Sequence, residues 1–109
     1  MATQYTKEQV VYIVMRSDLG MRKGKAAAQA AHAVGEIILP TGCAVVVVRV
    51  HDRAALYAII REAMAEEVWF HLVVDSGRTQ VAPLTSTCVA VGPFDRDAVP
   101  QWLRSLPLF

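Results

Sequence analysis

VVYIVMRSDLGMRKGKAAAQAAHAVGEIIL, Val10 to Leu39, decides how this chain folds. Val10 to Met15 is a continuous apolar run rich in β-branched residues, the pattern of a strand covered on both faces. Arg16, Ser17 and Asp18 end it. A turn containing Gly20 then leads into an alanine-rich helix, opened by Met21 to Ala33 and expected to run to about Leu39, where Pro40 and Gly42 stop it. On a 3.6-residue helix Lys25, Gln29, His32 and Glu36 fall on one face, and Ala27, Ala30, Ala31, Val34 and Ile38 on the opposite one. The expectation is one chemical face and one packing face. Small residues on the packing face would let the helix approach a sheet closely and hold the polar stripe on a rigid element.

Beyond this βα unit, Ala44 to Val50 (AVVVVRV) reads as a second buried strand. Asp52 is a suitable N-cap for a second helix that points Leu56, Ile59, Ile60, Ala63 and Met64 inward and Arg53, Arg61, Glu62 and Glu66 outward. Val68 to Val74 predicts a third strand and Thr87 to Val91 a fourth, separated by the loop DSGRTQVAPLTS. Gly92-Pro93 is then expected to break the chain. A terminal helix capped by Asp97, with Pro100 in its first turn, would dock through Trp102, Leu103 and Leu106. The order βαβαββα predicts an α/β fold, a mixed four-stranded sheet with helices on both faces, in one domain over residues 1–109. Right-handed crossovers make the first three strands parallel if they share that sheet, and Arg16 to Lys25 and Asp75 to Thr87 would then reach the same carboxyl-end edge, where open α/β sheets usually bind ligands.

Composition narrows the function classes. Apolar residues make up 54% of the chain, yet no run approaches the ~20 residues that would cross a bilayer. The lead from Met1 to Gln9 is polar and unlike a secretory signal, so an intracellular, cytoplasmic protein is expected. Cys43 and Cys88 stand outside any CxxC and read as core thiols, and His32, His51 and His71 are too scattered for a metal site, so no metal is expected. A formal net charge of +1 gives no strong overall field, but Arg16, Arg22, Lys23 and Lys25 crowd one corner.

Gly20, Gly24 and Lys25 between a strand and a helix invite a phosphate-loop reading. That reading fails on spacing: three residues separate the glycines instead of four, and Ala26 stands where a magnesium-binding Ser or Thr is needed. A helix N-terminus beside Lys23 and Lys25 still suits a phosphate or a developing oxyanion, or else is a solvated basic turn. Asp75 before Ser76-Gly77 could hold a carboxylate at the sheet edge or satisfy an Asx turn. Thr79, Gln80, Thr85, Ser86 and Thr87 supply short donors in or beside the loop, and His32 could orient a substrate or bond a backbone carbonyl. Each signal has a structural reading of its own; their arrival at one edge favours a site.

RSDLGMRKGKAAAQAAHA (Arg16 to Ala33), DSGRTQVAP (Asp75 to Pro83), Thr87, VGP (Val91 to Pro93) and the terminal LPLF resemble the type 2 peptidyl-tRNA hydrolases of archaea and eukaryotes. The resemblance covers most of the chain. It implies an enzyme that cleaves the ester between a peptide and the 3′-ribose of tRNA, on a mixed four-stranded fold that is often a homodimer, with peptidyl-tRNA as partner, no membrane and no cofactor. Its catalytic set falls on Lys25, Asp75, Thr79 and Thr87, with Gln29 and His32 beside them, and the same reading gives phosphate contacts to Arg22, Lys23 and Arg78.

Departures from the pattern carry their own expectations. The chain is shorter between His32 and the second strand, Arg49 replaces a common Lys, and Ser76 replaces Ala. Leu84 stands where Gly is usual, which strains the backbone if that position needs positive φ. These departures motivate an alternative: a non-catalytic RNA-binding or protein-interaction module on the same fold.

Overall fold

A computed structural model of the chain describes residues 8–77, 81 and 84–109. Eight elements follow in order: β1 (Gln9–Arg16), α1 (Lys23–Val34), β2 (Ala44–Val50), α2 (Arg53–Ala65), β3 (Phe70–Asp75), β4 (Thr85–Asp95), a 3-10 turn (Arg96–Ala98) and α3 (Gln101–Arg104). The expected α/β order is therefore present, and the four strands form one mixed sheet in the spatial order β2-β1-β4-β3. β1 pairs parallel with β2, while β4 lies antiparallel between β1 and β3. Because β4 opposes both neighbours, β1, β2 and β3 all run the same way, and their carboxyl ends share one edge.

The two sheet faces bury separate clusters. On one, Val10, Val14, Val48, Val89 and Val91 pack with Leu56, Ile59, Ile60 and Ala63 of α2 and with Leu103 of α3. On the other, Ile13, Met15, Val73, Cys88 and Ala90 pack with Ala26 and Ala33 of α1. Asp52 caps α2 as expected, its Oδ1 accepting from the Ala55 N–H at 2.9 Å.

Several expectations are corrected. α1 stops at Val34, with Gly35 as its C-cap, so Glu36 lies beyond the helix. Its buried stripe is Ala26, Gln29 and Ala33, flanked by half-buried Ala30 and Val34, whereas Ala27 and Ala31 are exposed and Ile38 is 96% exposed. The packing face is thus rotated by about one residue, ~100° on the helix, because Gln29 faces inward and satisfies its amide there. Met64 is also exposed, and Cys43 is half-buried. β3 begins at Phe70; Val68 instead donates its N–H to Ala63 O in the exit from α2.

β4 does not stop at Gly92-Pro93. Val10 pairs with Phe94 and Tyr12 with Val91, so Gly92 and Pro93 together oppose Val11 in a bulge, a place where proline's missing N–H breaks no ladder bond. Asp97 is not at an N-cap position: it sits within the 3-10 turn, and α3 starts only after Pro100, at its N-cap position. The last residues close the outer side of β2, with Arg49 N–H donating to Pro107 O and Phe109 N–H donating to Val47 O.

Leu84 adopts φ of 59°, the left-handed region. A non-glycine residue pays about 1–2 kcal/mol there, partly offset by the roughly 0.5–1 kcal/mol of extra chain entropy that glycine loses on folding. Its side chain is 81% exposed, so removing it sacrifices little packing. Leu84→Gly should raise the free energy of unfolding by about 0.5–1 kcal/mol, read as a higher urea midpoint at unchanged m-value.

Candidate active site

The site is built where β3 ends, α1 begins and β4 enters. Asp75, the last residue of β3, is buried, and its carboxylate is surrounded by donors. Lys25 Nζ lies 2.6 Å from Oδ1, with 10% of the Lys25 side chain and 8% of the Asp75 side chain exposed. Gln29 Nε2 donates to the same oxygen at 2.9 Å, and the Gly77 N–H donates to Oδ2 at 2.7 Å. The Gln29 amide then passes the network on: its Oε1 accepts from the Thr87 hydroxyl at 2.6 Å. Lys25, Asp75, Gln29 and Thr87 therefore form one connected chain.

A second bulge aims Thr87. Val73 pairs with Cys88 and Val74 with Ser86, which leaves Thr87 as the extra residue on β4. The bulge breaks the strand's alternation, so Thr87 turns to the α1 face with Cys88 while Ser86 turns to the α2 face. There Ser86 Oγ bonds Tyr57 OH at 2.8 Å, and its carbonyl accepts from Arg16 Nη1 at 3.1 Å. Sequence reading did not find this Tyr57–Ser86–Arg16 cluster, since Tyr57 sits in a helix that reads as scaffold.

The electrostatics follow from the contacts. The ammonium of Lys25 hydrogen-bonded to Asp75 holds that carboxyl below the usual carboxylate range; burial opposes this, and the Gly77 N–H and Gln29 amide reinforce it. Burial pushes the Cys88 thiol up to about 11, so it is an inert packing group beside the site.

The other anticipated residues that are described are less closely gathered. Arg22 and Lys23 are exposed at the start of α1, Arg22 occupying its N-cap position. His32 is exposed on the rim of a groove of about 460 Å³ that Gln29 and Asp75 also line. Arg78, Thr79 and Gln80 lie outside the described residues.

A buried carboxylate bound by an ammonium group, an amide and a backbone N–H, at the carboxyl edge of an open α/β sheet, defines a preorganised polar site of the kind hydrolytic enzymes use. The chain belongs to the family described as peptidyl-tRNA hydrolase PTH2, whose model matches residues 9–109. It is 40% identical over 115 residues to a peptidyl-tRNA hydrolase of Aeropyrum pernix, covering 89% of this chain and 93% of that protein. Identity to a peptidyl-tRNA hydrolase of Methanocaldococcus jannaschii is 37% over 95 residues, covering 74% and 83%. A probable peptidyl-tRNA hydrolase 2 of Drosophila melanogaster is 41% identical over 95 residues, 74% of this chain and 51% of the fly protein.

Because the Asp75 pKa is lower in the folded than in the unfolded chain, its contribution to stability is present above the ordinary carboxyl pKa of ~3.9 and is lost as pH falls through the lower folded value. The stability gap between wild type and Asp75→Asn should be widest near neutral pH and narrow on acidification below about pH 4. Urea unfolding across that range checks it; a gap independent of pH would contradict the assigned charge state.

Proposed function

We propose that this chain, acting as one domain over residues 1–109, is a peptidyl-tRNA hydrolase that cleaves the ester between a peptide and the 3′-ribose of tRNA and so returns the tRNA to use. The observation that carries this reading is the 2.6 Å contact between Lys25 and Asp75, two residues 50 positions apart that meet at the sheet edge of a chain in this family.

The geometry supports distinct roles. Each carboxylate oxygen has two lone-pair sites; among the described residues, Asp75 Oδ1 uses both on Lys25 and Gln29, whereas Oδ2 uses one on Gly77. The remaining site on Oδ2 accepts a proton of the attacking water and orients its lone pair at the acyl carbon. Lys25, together with the first N–H groups of α1, which have no partner within the helix, stabilises the negative charge that develops on the carbonyl oxygen. Collapse of the tetrahedral intermediate breaks the acyl–oxygen bond. The ribose oxygen leaves with the proton that Asp75 accepted from the water, which restores the carboxylate, and the hydroxyl from that water stays on the peptide as its carboxyl group. Thr79, matched through the family pattern, belongs to this set, and Gln29 and Thr87 hold Asp75 in register. No cofactor enters these steps.

Arg22, Lys23 and Arg78 are the phosphate contacts in this reading, and His32 and Gln80 belong to its substrate- and tRNA-binding set. The exposed Val45, Leu108 and Phe109 beside β2 support pairing of two copies into a homodimer. No helix among the described residues is long and apolar enough to cross a membrane, and a cytoplasmic site of action fits the substrate.

Release of an N-acetylated amino acid from charged tRNA tests the proposal. Wild type should be active, with Lys25→Ala and Asp75→Asn each reduced by about 10²–10³-fold. Equal, background-level release from all three would instead favour a binding module. Counterion release makes a second expectation: with about three phosphate contacts, log Kd for tRNA should rise with log salt at a slope near 2 to 3. A flat profile would remove those three residues from the interface.

A further inference from the structure

The two edges of the sheet are treated differently. The outer side of β2 is closed by Pro107 and Phe109, whereas β3 is the terminal strand on the other side. The inward hydrogen bonds of β3 set the direction of the rest. Trp69 O accepts from the Gly92 N–H, Val73 O from the Thr87 hydroxyl at 3.4 Å and Asp75 O from the Leu84 N–H, so residues 69, 73 and 75 turn their backbone groups toward β4. In an antiparallel strand alternate residues face opposite ways, which turns the N–H and C=O of Phe70, Leu72 and Val74 outward. The bulge at Thr87 lies in β4, so it does not disturb this alternation along β3.

α1 overhangs that edge. His71 Nδ1 bonds Ala33 O at 3.1 Å, tying helix to strand, and the groove between them is lined by Gln29, His32 and Glu36 on one side and by Leu72 to Ser76 on the other. Its lining runs along β3 directly to Asp75. Among the described residues nothing pairs with that edge, and a strand edge beneath a helix, ending at a reactive carboxylate, has the form of a site that captures an extended peptide by its backbone.

We propose that the edge of β3 takes the peptide part of the substrate as an added strand, parallel to β3, with its acyl end delivered to Asp75 and Lys25. The direction follows from the chemistry: the scissile carbonyl is at the peptide's carboxyl end, and β3 also runs toward Asp75. Phe70 to Asp75 spans about 17–20 Å at ~3.3 Å per residue, room for four or more peptide residues. Backbone pairing reads no side chains, which suits a substrate whose peptide can have any sequence. This assignment rests on the hydrolase reading and adds the means by which peptide is recognised.

The test compares kcat/KM of the full chain on one tRNA carrying N-acetyl-alanine, tetra-alanine, or tetra-alanine with a single backbone N-methyl group at successive positions. The tetrapeptide should be cleaved roughly tenfold better than N-acetyl-alanine, and N-methylation should cost about tenfold at alternate positions and little between them. Equal rates for short and long acyl groups, or an N-methyl penalty uniform along the peptide, would overturn the edge while leaving the hydrolase intact. Release from none of the substrates would overturn the hydrolase reading and this assignment with it.

Discussion

A carboxylate held almost out of water constrains everything around it. Burying Asp75 alone would cost several kcal/mol, and its pairing with Lys25 returns that only because Gln29 and the Gly77 N–H add their hydrogen bonds to it. Such a pair is a poor device for stability, since apolar residues of similar volume would do as well or better. It is a good device for holding charge in one place. Gln29 is the residue that makes it possible: with 3% of its surface exposed, it must spend both ends of its amide inside the protein, and it does so on Asp75 and Thr87.

The fold exists in the form it does so that these groups can meet. Placing β4 antiparallel between β1 and β3 leaves three parallel strands ending at one edge, and α1 starts at that same edge. Ala26, Ala30 and Ala33 then bring the helix axis close to β3 and β4, near enough for the side chains of Lys25 and Gln29 to reach a carboxylate on the strand. A larger residue at Ala33, which is fully buried, would push the helix outward and open the Lys25–Asp75 contact.

The order of elements, the β2 boundaries and the Asp52 cap were all legible in the sequence because each depends on local signals: an apolar run, a turn, a capping side chain. The meeting of Lys25 and Asp75 was legible through strand direction. Where the sequence misled, a long-range interaction had overruled a local one. Gln29 looks like a surface residue until its two buried partners are known, and assigning it outward rotated the whole helix face toward Ala27 and Ala31. Gly92-Pro93 looks like a break until β1 and β3 are seen holding β4 on both sides, so that a bulge absorbs both residues. The bulge at Thr87 has no local signature at all, because it is defined by its pairing partners.

The strain at Leu84 belongs to the same design. Its N–H donates to Asp75 O at 2.8 Å, and the Gly77 N–H donates to the Asp75 side chain, so the chain is gripped as it leaves β3 and again as it returns into β4. Two such bonds fix both the backbone and the carboxylate of one residue, leaving little freedom for the charge to swing toward solvent. The left-handed turn at Leu84 is what lets the returning strand place its N–H there. Backbone strain accumulates at functional sites because surrounding contacts over-determine the geometry. Here the residue being over-determined is Asp75, and the strained backbone sits directly beside it.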